Sequence, residues 1–324
     1  MKKILLLLFT LIIIFLFAEI LFRIAYPLYA DYNTEMARYA QEVKIIIHDN
    51  FFRHRPNIKG IYYGVEIKTN SIGWREDRDY PLKKPSGIKR VIVLGDSITL
   101  GWGVEQYQTY SKVLEHHLNN DPTLQFRYEV INTGVGNYNT SLELEMLKRT
   151  LPYDPDIIII GYFINDVEIW NRQGPIVSFL GMYSYFYRFL WDKFLSIGNK
   201  LGLNENYEVY YKKLYTSNHE GIYRLEKNLE SITSLAKERS IPLVFLNIPD
   251  LHTIKPYPFD SVNNYIKNLI SKSNIHYLNL LDSVEGIKPT ALWASYEDSH
   301  PNSKAHGIYG NRIYHFLKKE ELVD

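Results

Sequence analysis

The sequence predicts an α/β protein built on a parallel sheet and preceded by a membrane segment. From residue 88 onward, short apolar runs alternate with stretches of helical periodicity. This pattern is typical of a parallel sheet with helices on both faces. The run at 156–161 (DIIIIG) contains four consecutive isoleucines, which predicts a strand buried on both faces. In such sheets ligands bind at the carboxyl ends of the strands.

Five strands and five helices are predicted in this part of the chain. The strands fall at 90–94, 128–132, 156–161, 243–248 and 275–281. The helices fall at 109–118, 141–151, 225–239, 261–271 and 308–319. Upstream, the alternation at 61–69 predicts a single strand or a hairpin.

The composition excludes several classes of protein. The chain has 324 residues with 37 Lys plus Arg and 36 Asp plus Glu, a net charge of +1, which argues against nucleic acid as the main partner. Because it contains no cysteine, it has no disulfides, zinc–thiolate sites, thiol nucleophile or acylated lipoprotein cysteine. With 46% hydrophobic and 23% charged residues, it is not globally disordered.

The N-terminus predicts a membrane anchor. Lys2 and Lys3 precede an apolar run at 4–22, which spans about 28 Å as a helix, close to the roughly 30 Å hydrocarbon core of a bilayer. The lysines predict a cytoplasmic N-terminus with the bulk of the chain outside. The alternative is a signal peptide cleaved after Ala18 or Ala30, although both sites have leucine at the minus-three position, where a small residue is usual.

These features divide the chain into a membrane segment at 1–30, a polar and aromatic lead-in at 31–87, and an α/β domain at 88–324. An insert at 167–224 interrupts the domain, and its aromatic residues crowd between 175 and 195. Connections of this length are usually functional or mobile. The insert is interpreted either as a helical hairpin packed on the core, or as a lid or acyl-chain surface that faces the bilayer.

Two candidate motifs follow the first two predicted strands. Gly95-Asp96-Ser97 places a serine where a strand ends, and a helix starting nearby would add N–H donors. Alone, these residues equally fit a helix cap or an Asp turn. The loop after the second strand contains Gly136 and Asn137, residue types that tolerate positive φ and can turn a backbone N–H towards a ligand. The same pair also fits an ordinary strand-to-helix turn.

Two further motifs lie later in the chain. Asn165 follows the third strand, and its amide either donates to an oxyanion or caps a helix. His300 follows Glu297 and Asp298 and precedes the last helix. A histidine oriented by a carboxylate suits a general base, although such a close pair is more often structural. The spacing from His300 to His306 does not fit a zinc site, so neither a metal nor a cofactor is predicted.

Together the four motifs resemble those of the SGNH (GDSL-type) hydrolases, a family of esterases, lipases and acetyl-transfer enzymes. The resemblance extends over 89–317, and its most specific stretch is 91–104 (VIVLGDSITLGWGV). The segment 70–75 (NSIGWR) is similar to the lead-in of a membrane-anchored subgroup. The resemblance implies a three-layer α/β/α sandwich with a five-stranded parallel, flavodoxin-like sheet.

The resemblance also implies a role for individual residues. Ser97 matches the nucleophile and His300 the base that takes its proton. The backbone N–H groups of Ser97 and Asn137 and the side chain of Asn165 match the oxyanion hole. Asn137 stands where the family usually has glycine, but an asparagine with positive φ still presents its backbone N–H.

The acid of the triad is left open between two residues. The family usually has aspartate three residues before the histidine, where this chain has Glu297. Asp298 lies two residues before His300, a spacing that some relatives use. We favour Asp298.

The sequence therefore predicts a serine esterase acting on O-acetyl or lipid acyl esters of envelope glycans or lipids, with a membrane partner at the N-terminal helix. An O-acyltransferase of envelope polysaccharide would use the same residues, with a sugar hydroxyl replacing water. A non-catalytic carbohydrate-binding protein on the same fold is a further alternative. A phosphate-handling site at the Gly95 turn is not predicted, because the sequence has no suitable lysine or metal cluster for it. The oligomeric state is not predicted.

Overall fold

The computed structural model describes residues 2–29, 31–48, 51–169, 175–203, 205–216, 219–273 and 275–324. The chain divides into two compact units. Met1–Val43 and Trp170–Asn206 form the smaller unit, and Lys44–Ile169 and Tyr207–Asp324 form the larger one. The domain boundaries that the sequence predicts, at residues 30 and 87 and around the insert at 167–224, remain predictions.

The helices in the described part of the chain are α1 (Lys2–Tyr29), α2 (Tyr32–Glu42), α3 (Ser97–Leu100), α4 (Tyr110–Asn119), α5 (Thr140–Thr150), α6 (Pro175–Tyr183), α7 (Tyr185–Lys200), α8 (Tyr207–Leu214), α9 (Glu220–Glu238), α10 (Asp260–Ile270) and α11 (Ser303–Lys319). The strands are β1 (Lys44–His48), β2 (Phe51–His54), β3 (Lys59–Tyr62), β4 (Val65–Lys68), β5 (Ile88–Gly95), β6 (Arg127–Asn132), β7 (Ile157–Tyr162), β8 (Leu243–Asn247), β9 (His276–Asn279), β10 (Trp293–Ser295) and β11 (Asp298–Pro301).

The larger unit is built on a five-stranded parallel sheet with the strand order β6-β5-β7-β8-β9. Numbered along the chain within this sheet, the order is 2-1-3-4-5, as in flavodoxin. Every residue of β7 and β8 is buried, as a central strand covered on both faces requires. The predicted fold class is confirmed, and each of the five predicted strands overlaps one strand of the sheet.

Alternate residues of the strands enter two separate cores. Val91 and Val93 belong to a cluster that includes residues of α4 and α11, whereas Ile92 and Leu94 belong to a cluster with residues of α5, α9 and α10. Successive side chains of a strand point to opposite faces, so these helices cover both faces of the sheet. They overlap the five predicted helices and complete the three-layer sandwich.

Three antiparallel hairpins accompany the sheet within the described residues: β1–β2, β3–β4 and β10–β11. The sequence predicts either a single strand or a hairpin at 61–69, and the structure has the β3–β4 hairpin in this region. The other two were not predicted, because neither segment shows an alternation as clear as that at 61–69. Both matter below, since β1 carries Lys44 and β11 carries His300.

In the smaller unit, α1 contains the segment Lys2–Tyr26, which is long and apolar enough to cross a bilayer; its most apolar 18-residue window has a mean hydropathy of 3.1. A signal sequence near the N-terminus has the same properties. Glu19 and Arg23 form an ion pair at 2.8 Å on one face of this helix, as their spacing of four residues favours.

The aromatic part of the insert forms the helices α6 and α7 of the smaller unit. This part of the insert is therefore helical, which is compatible with both interpretations given above. Residue 30, one predicted cleavage position, and residues 170–174, 204 and 217–218 of the insert lie outside the described residues.

Candidate active site

Ser97 begins the four-residue helix α3 at the carboxyl end of strand β5. The carboxylate of Asp96 caps this helix by accepting a hydrogen bond from the N–H of Ile98 at 2.8 Å. Glycine is required at position 95, because a Cβ there would lie 2.0 Å from Oγ1 of Thr99. The strand thus ends in a tight turn that places Ser97 at the rim of the sheet, where the residue is 5% exposed.

A buried arginine holds the segment that follows α3. The guanidinium of Arg75 donates hydrogen bonds of 2.7–2.9 Å to four backbone carbonyls, those of Glu66, Leu100, Gly101 and Val104. The side chain is completely buried, so each bond replaces one that water would otherwise make. Through these bonds the 70–75 segment holds the end of the helix that begins at Ser97 and the residues that follow that helix.

Asp298 and His300 lie two residues apart on β11, so their side chains project from the same face of the strand. Nδ1 of His300 lies 2.6 Å from Oδ1 of Asp298, and Nε2 lies 2.9 Å from Oγ of Ser97. The same Asp298 oxygen accepts the backbone N–H of His300 at 3.0 Å. The three side chains form one continuous hydrogen-bonded chain.

Glu297 does not belong to this hydrogen-bonded chain. It lies in the turn before β11 with its side chain exposed, and its backbone N–H donates to Oγ of Ser295 at 3.2 Å. Asp298, in contrast, is buried. Of the two acids left open by the sequence, the geometry therefore favours Asp298.

The loop after β6 packs directly on α3. A Cβ at Gly134 would lie 2.4 Å from the backbone nitrogen of Leu100, and the side chain of Asn132 donates to the carbonyl of Thr99 at 2.7 Å. Farther along the loop, Asn137 is exposed and has a φ of 64°. This is the left-handed conformation that an asparagine replacing glycine must adopt.

Asn165 lies in the helical turn Ile164–Val167, which follows β7. Its amide nitrogen donates to Oδ2 of Asp96 at 3.2 Å. The third motif is thereby tied to the residue next to Ser97. Since a primary amide has two N–H donors, the second can donate to a substrate oxygen.

Three carboxyl groups lie buried below these motifs: Asp96, Glu143 and Asp166. Burial raises the pKa of each above its ordinary value. Repulsion from Asp96 further raises the pKa of Glu143 and Asp166. Nothing in the sequence marked Glu143, because a glutamate in an amphipathic helix usually faces solvent.

A second histidine reaches the hairpin that carries His300. Nδ1 of His252 lies 3.0 Å from Oδ2 of Asp250 and 3.4 Å from Oγ of Ser299. The hydrogen bond with Asp250 raises the pKa of His252 above its ordinary value. Sequence reasoning missed His252, because it follows β8 and belongs to none of the four motifs.

Known proteins were compared with the chain by sequence and by fold. The model of the GDSL-like lipase/acylhydrolase family matches residues 93–308. No curated protein matches the chain significantly.

Several solved structures match the chain at low identity. One is the esterase EstA from Pseudoalteromonas sp., at 16% identity and a TM-score of 0.45, over 72% of this chain and 98% of that chain. Another is a catalytic mutant of the acetylxylan esterase Axe2 from Geobacillus stearothermophilus, at 14% identity and a TM-score of 0.47, over 71% of this chain and 94% of that chain. A third is a lipase/acylhydrolase from Enterococcus faecalis, at 13% identity and a TM-score of 0.44, over 72% of this chain and 96% of that chain.

The family assignment therefore depends on the family model. The matched region covers more than half of the chain and includes Ser97, Asn137, Asn165 and His300. It confirms the family resemblance that the motifs indicate, while the roles of the individual residues stay predictions. The chain belongs to the GDSL-like lipase/acylhydrolase family and is a hydrolase of ester bonds.

Proposed function

We propose that the protein is a serine esterase that works through a covalent acyl-enzyme. The hydrogen-bonded chain of Ser97, His300 and Asp298 is the observation that carries this proposal. As Oγ of Ser97 attacks the carbonyl carbon of an ester, Nε2 of His300 takes the serine proton and then gives it to the departing alcohol. Asp298 keeps the other ring proton on Nδ1. Water then hydrolyses the acyl-enzyme by the same route.

The negative charge of the tetrahedral intermediate needs hydrogen-bond donors. We assign this task to the backbone N–H groups of Ser97 and Asn137 and to the side-chain amide of Asn165. The tether from Asn165 to Asp96 supports this assignment, because it limits the orientations of the amide before substrate binds. A donor that is already oriented costs little reorganisation during the reaction.

The substrate we propose is an O-acetyl or lipid acyl ester of an envelope glycan or lipid. The support is topological: Lys2 and Lys3 before α1 favour a cytoplasmic N-terminus. With α1 retained as the membrane anchor that we propose, the larger unit lies outside the cytoplasm.

The test is hydrolysis of 4-nitrophenyl acetate, butyrate and octanoate by the full chain in detergent, with Ser97→Ala as the control. We expect turnover that disappears in Ser97→Ala, and the preferred chain length distinguishes deacetylation from lipid chemistry. Labelling of Ser97 by a fluorophosphonate without ester turnover would indicate an acyltransferase that lacks its acceptor. A folded chain with neither activity would contradict the proposal and favour a binding protein.

A further inference from the structure

The ion pair of α1 holds the junction between α6 and α7. The carboxylate of Glu19 accepts hydrogen bonds from Oγ of Ser184 at 2.7 Å and from the backbone N–H groups of Tyr185 and Phe186 at 3.1 Å. It therefore caps the N-terminus of α7. Arg23 donates to the carbonyl of the last residue of α6 at 2.5 Å. One ion pair thus satisfies backbone groups at both helix ends.

Aromatic contacts extend this junction along α1. The ring of Phe22 lies 5.3 Å from that of Phe186 and 4.7 Å from that of Phe189, and Phe15 lies 5.7 Å from Phe186. A signal peptide is removed from the mature protein, so tertiary contacts of this kind would be lost on cleavage. The contacts favour a helix that is retained.

The hairpin of α6 and α7 also has a large exposed apolar face. Its exposed side chains include Ile176, Phe179, Leu190, Trp191, Phe194 and Ile197. Between residues 175 and 203 the charged residues are Arg188, Asp192, Lys193 and Lys200. Soluble monomers rarely expose a contiguous apolar patch of this kind, and such patches mark membrane or protein interaction sites.

The position of Glu19 along α1 indicates which of these partners fits. Glu19 lies about 22 Å beyond Ile4 at 1.5 Å per residue. In a hydrocarbon core of roughly 30 Å that begins at Ile4, Glu19 lies about 8 Å short of the far interface. Tyrosine and tryptophan concentrate at that interface, and the hairpin contains Tyr183, Tyr185, Tyr187 and Trp191. The hairpin packs on α1 through Phe22 and Phe186, and α1 itself exposes apolar side chains along most of its length.

We propose that the α6–α7 hairpin lies in the membrane interface beside α1, with its exposed aromatic face against lipid. The proposal rests on the membrane anchoring given under Proposed function. A carboxylate at this depth is expensive unless it is satisfied, and the three hydrogen bonds from the hairpin satisfy Glu19. Anchor and hairpin thus form one membrane-associated element.

The test uses the full chain in vesicles of phosphatidylcholine and phosphatidylglycerol. Since the chain has no cysteine, Phe194→Cys provides a single site for an environment-sensitive fluorophore. Tyr107→Cys is the matched control, because Tyr107 is 73% exposed and Phe194 is 66% exposed. We expect the label at 194 to be blue-shifted and quenched by nitroxide lipids, and the label at 107 to be neither.

Equal quenching at the two positions would overturn the proposal. A blue-shifted label at 194 that nitroxide lipids do not quench would also overturn it, because a second copy of the chain would then cover the face. Ile197→Cys repeats the measurement if Phe194→Cys perturbs the fold. Mass spectrometry of the membrane-extracted protein checks the anchor separately: loss of α1 contradicts the anchoring itself, and an intact chain with an unquenched label contradicts the hairpin proposal alone.

A second, independent observation concerns Lys44, the first residue of β1. Its Nζ lies 2.5 Å from the carbonyl oxygen of Gly136 and 2.8 Å from Oδ1 of Asn137. It also lies 4.7 Å from the centroid of the Phe52 ring. The lysine therefore holds both the main chain and the side chain at the loop position that carries one proposed oxyanion donor.

The geometry of the peptide group gives this contact a consequence. In a planar trans peptide the carbonyl and the following N–H point in opposite directions. A bond from Lys44 to the carbonyl of Gly136 therefore directs the N–H of Asn137 away from the lysine. The bond to Oδ1 of Asn137 offsets the strain of a non-glycine residue at a φ of 64°. The same bond accounts for an asparagine at a position where the family usually has glycine.

We infer that Lys44 is a positioning residue that fixes the orientation of the Asn137 N–H in the oxyanion hole; this rests on the proposed esterase function. We expect Lys44→Met to lower kcat about 10- to 100-fold, since misplacing a catalytic group by about 1 Å costs about 10². KM should stay within about twofold, because the donor acts on the transition state. Lys44→Arg, which keeps a donor for the carbonyl, should recover much of the loss.

If the wild type is active and Lys44→Met leaves kcat unchanged, the Lys44 assignment alone is overturned. So would a loss expressed only in KM, or a loss that Lys44→Arg does not reduce. A wild type that is inert towards esters and fluorophosphonate would overturn the proposed function, and the Lys44 assignment with it. If Lys44→Met does not fold, Lys44→Gln is the second variant, and its shorter side chain should give the same split between kcat and KM.

Discussion

Replacing Asp298 by asparagine should lower kcat/KM for ester hydrolysis by about 10³–10⁴. Oδ1 of Asp298 accepts the Nδ1 proton of His300 at 2.6 Å and its backbone N–H at 3.0 Å. Asparagine keeps this shape, but its amide can donate to Nδ1 and move the ring proton to Nε2, 2.9 Å from Oγ of Ser97. A protonated Nε2 cannot accept the serine proton. The expected loss corresponds to about 4–5.5 kcal/mol at 1.36 kcal/mol per tenfold.

The assay is the initial rate with 4-nitrophenyl acetate, measured on the full chain in detergent. Glu297→Gln is the matched control, because it neutralises the neighbouring carboxylate, whose side chain is exposed; its rate should stay within about twofold. Circular dichroism and thermal melting show whether each variant is folded. The reasoning is refuted if Glu297→Gln loses activity on the 10³ scale while Asp298→Asn retains it.

Three further predictions follow from the site and the core around it. Asn165→Ala should lower kcat about 10²–10³-fold with an unchanged melting temperature, since one oxyanion donor is lost; near-full activity would contradict the assignment. Burial raises the pKa of Glu143 well above 4.5, so the folded chain keeps a proton that the unfolded chain releases above that pH. Stability therefore falls as pH rises from there towards the folded pKa, at up to about 1.4 kcal/mol per pH unit. Urea unfolding between about pH 5 and 8 should show a smaller fall in Glu143→Gln, and parallel slopes would contradict this. Gly161→Ala should cost about 1–3 kcal/mol, because its Cβ would lie 2.5 Å from Oγ1 of Thr99 and from the hydroxyl of Tyr110. Thr99→Ala should recover part of that loss in the double variant, and additive effects would count against a steric origin.

The order and type of the main elements could be predicted because they depend on local patterns. Four consecutive isoleucines in β7 are incompatible with a solvent-exposed face, so they predict a central strand. The alternating helices predict a parallel sheet, and this places Ser97, Asn137 and Asn165 at the ends of neighbouring strands. The motifs therefore indicated the region of the site before any contact was known.

Other features have no local signal. The segment that contains Arg75 resembles a known motif, but nothing local predicts that this side chain is buried and bonded to carbonyls up to 29 positions away. Lys44 contacts a carbonyl 92 positions away. Such pairs join segments that are far apart in the chain, and no periodicity in a single segment records them.

By itself the sequence determined the fold class and the family, and it predicted the serine and histidine that we assign to the proposed site. Hydrophobic periodicity and the spacing of the motifs carry this information, because both depend on residues that are close in the chain. Only the tertiary structure decided which acid faces His300, since Glu297 and Asp298 are adjacent and chemically alike. The strand β11 and its turn separate them: a strand positions every second side chain on one face, which pairs Asp298 with His300 and leaves Glu297 in solvent.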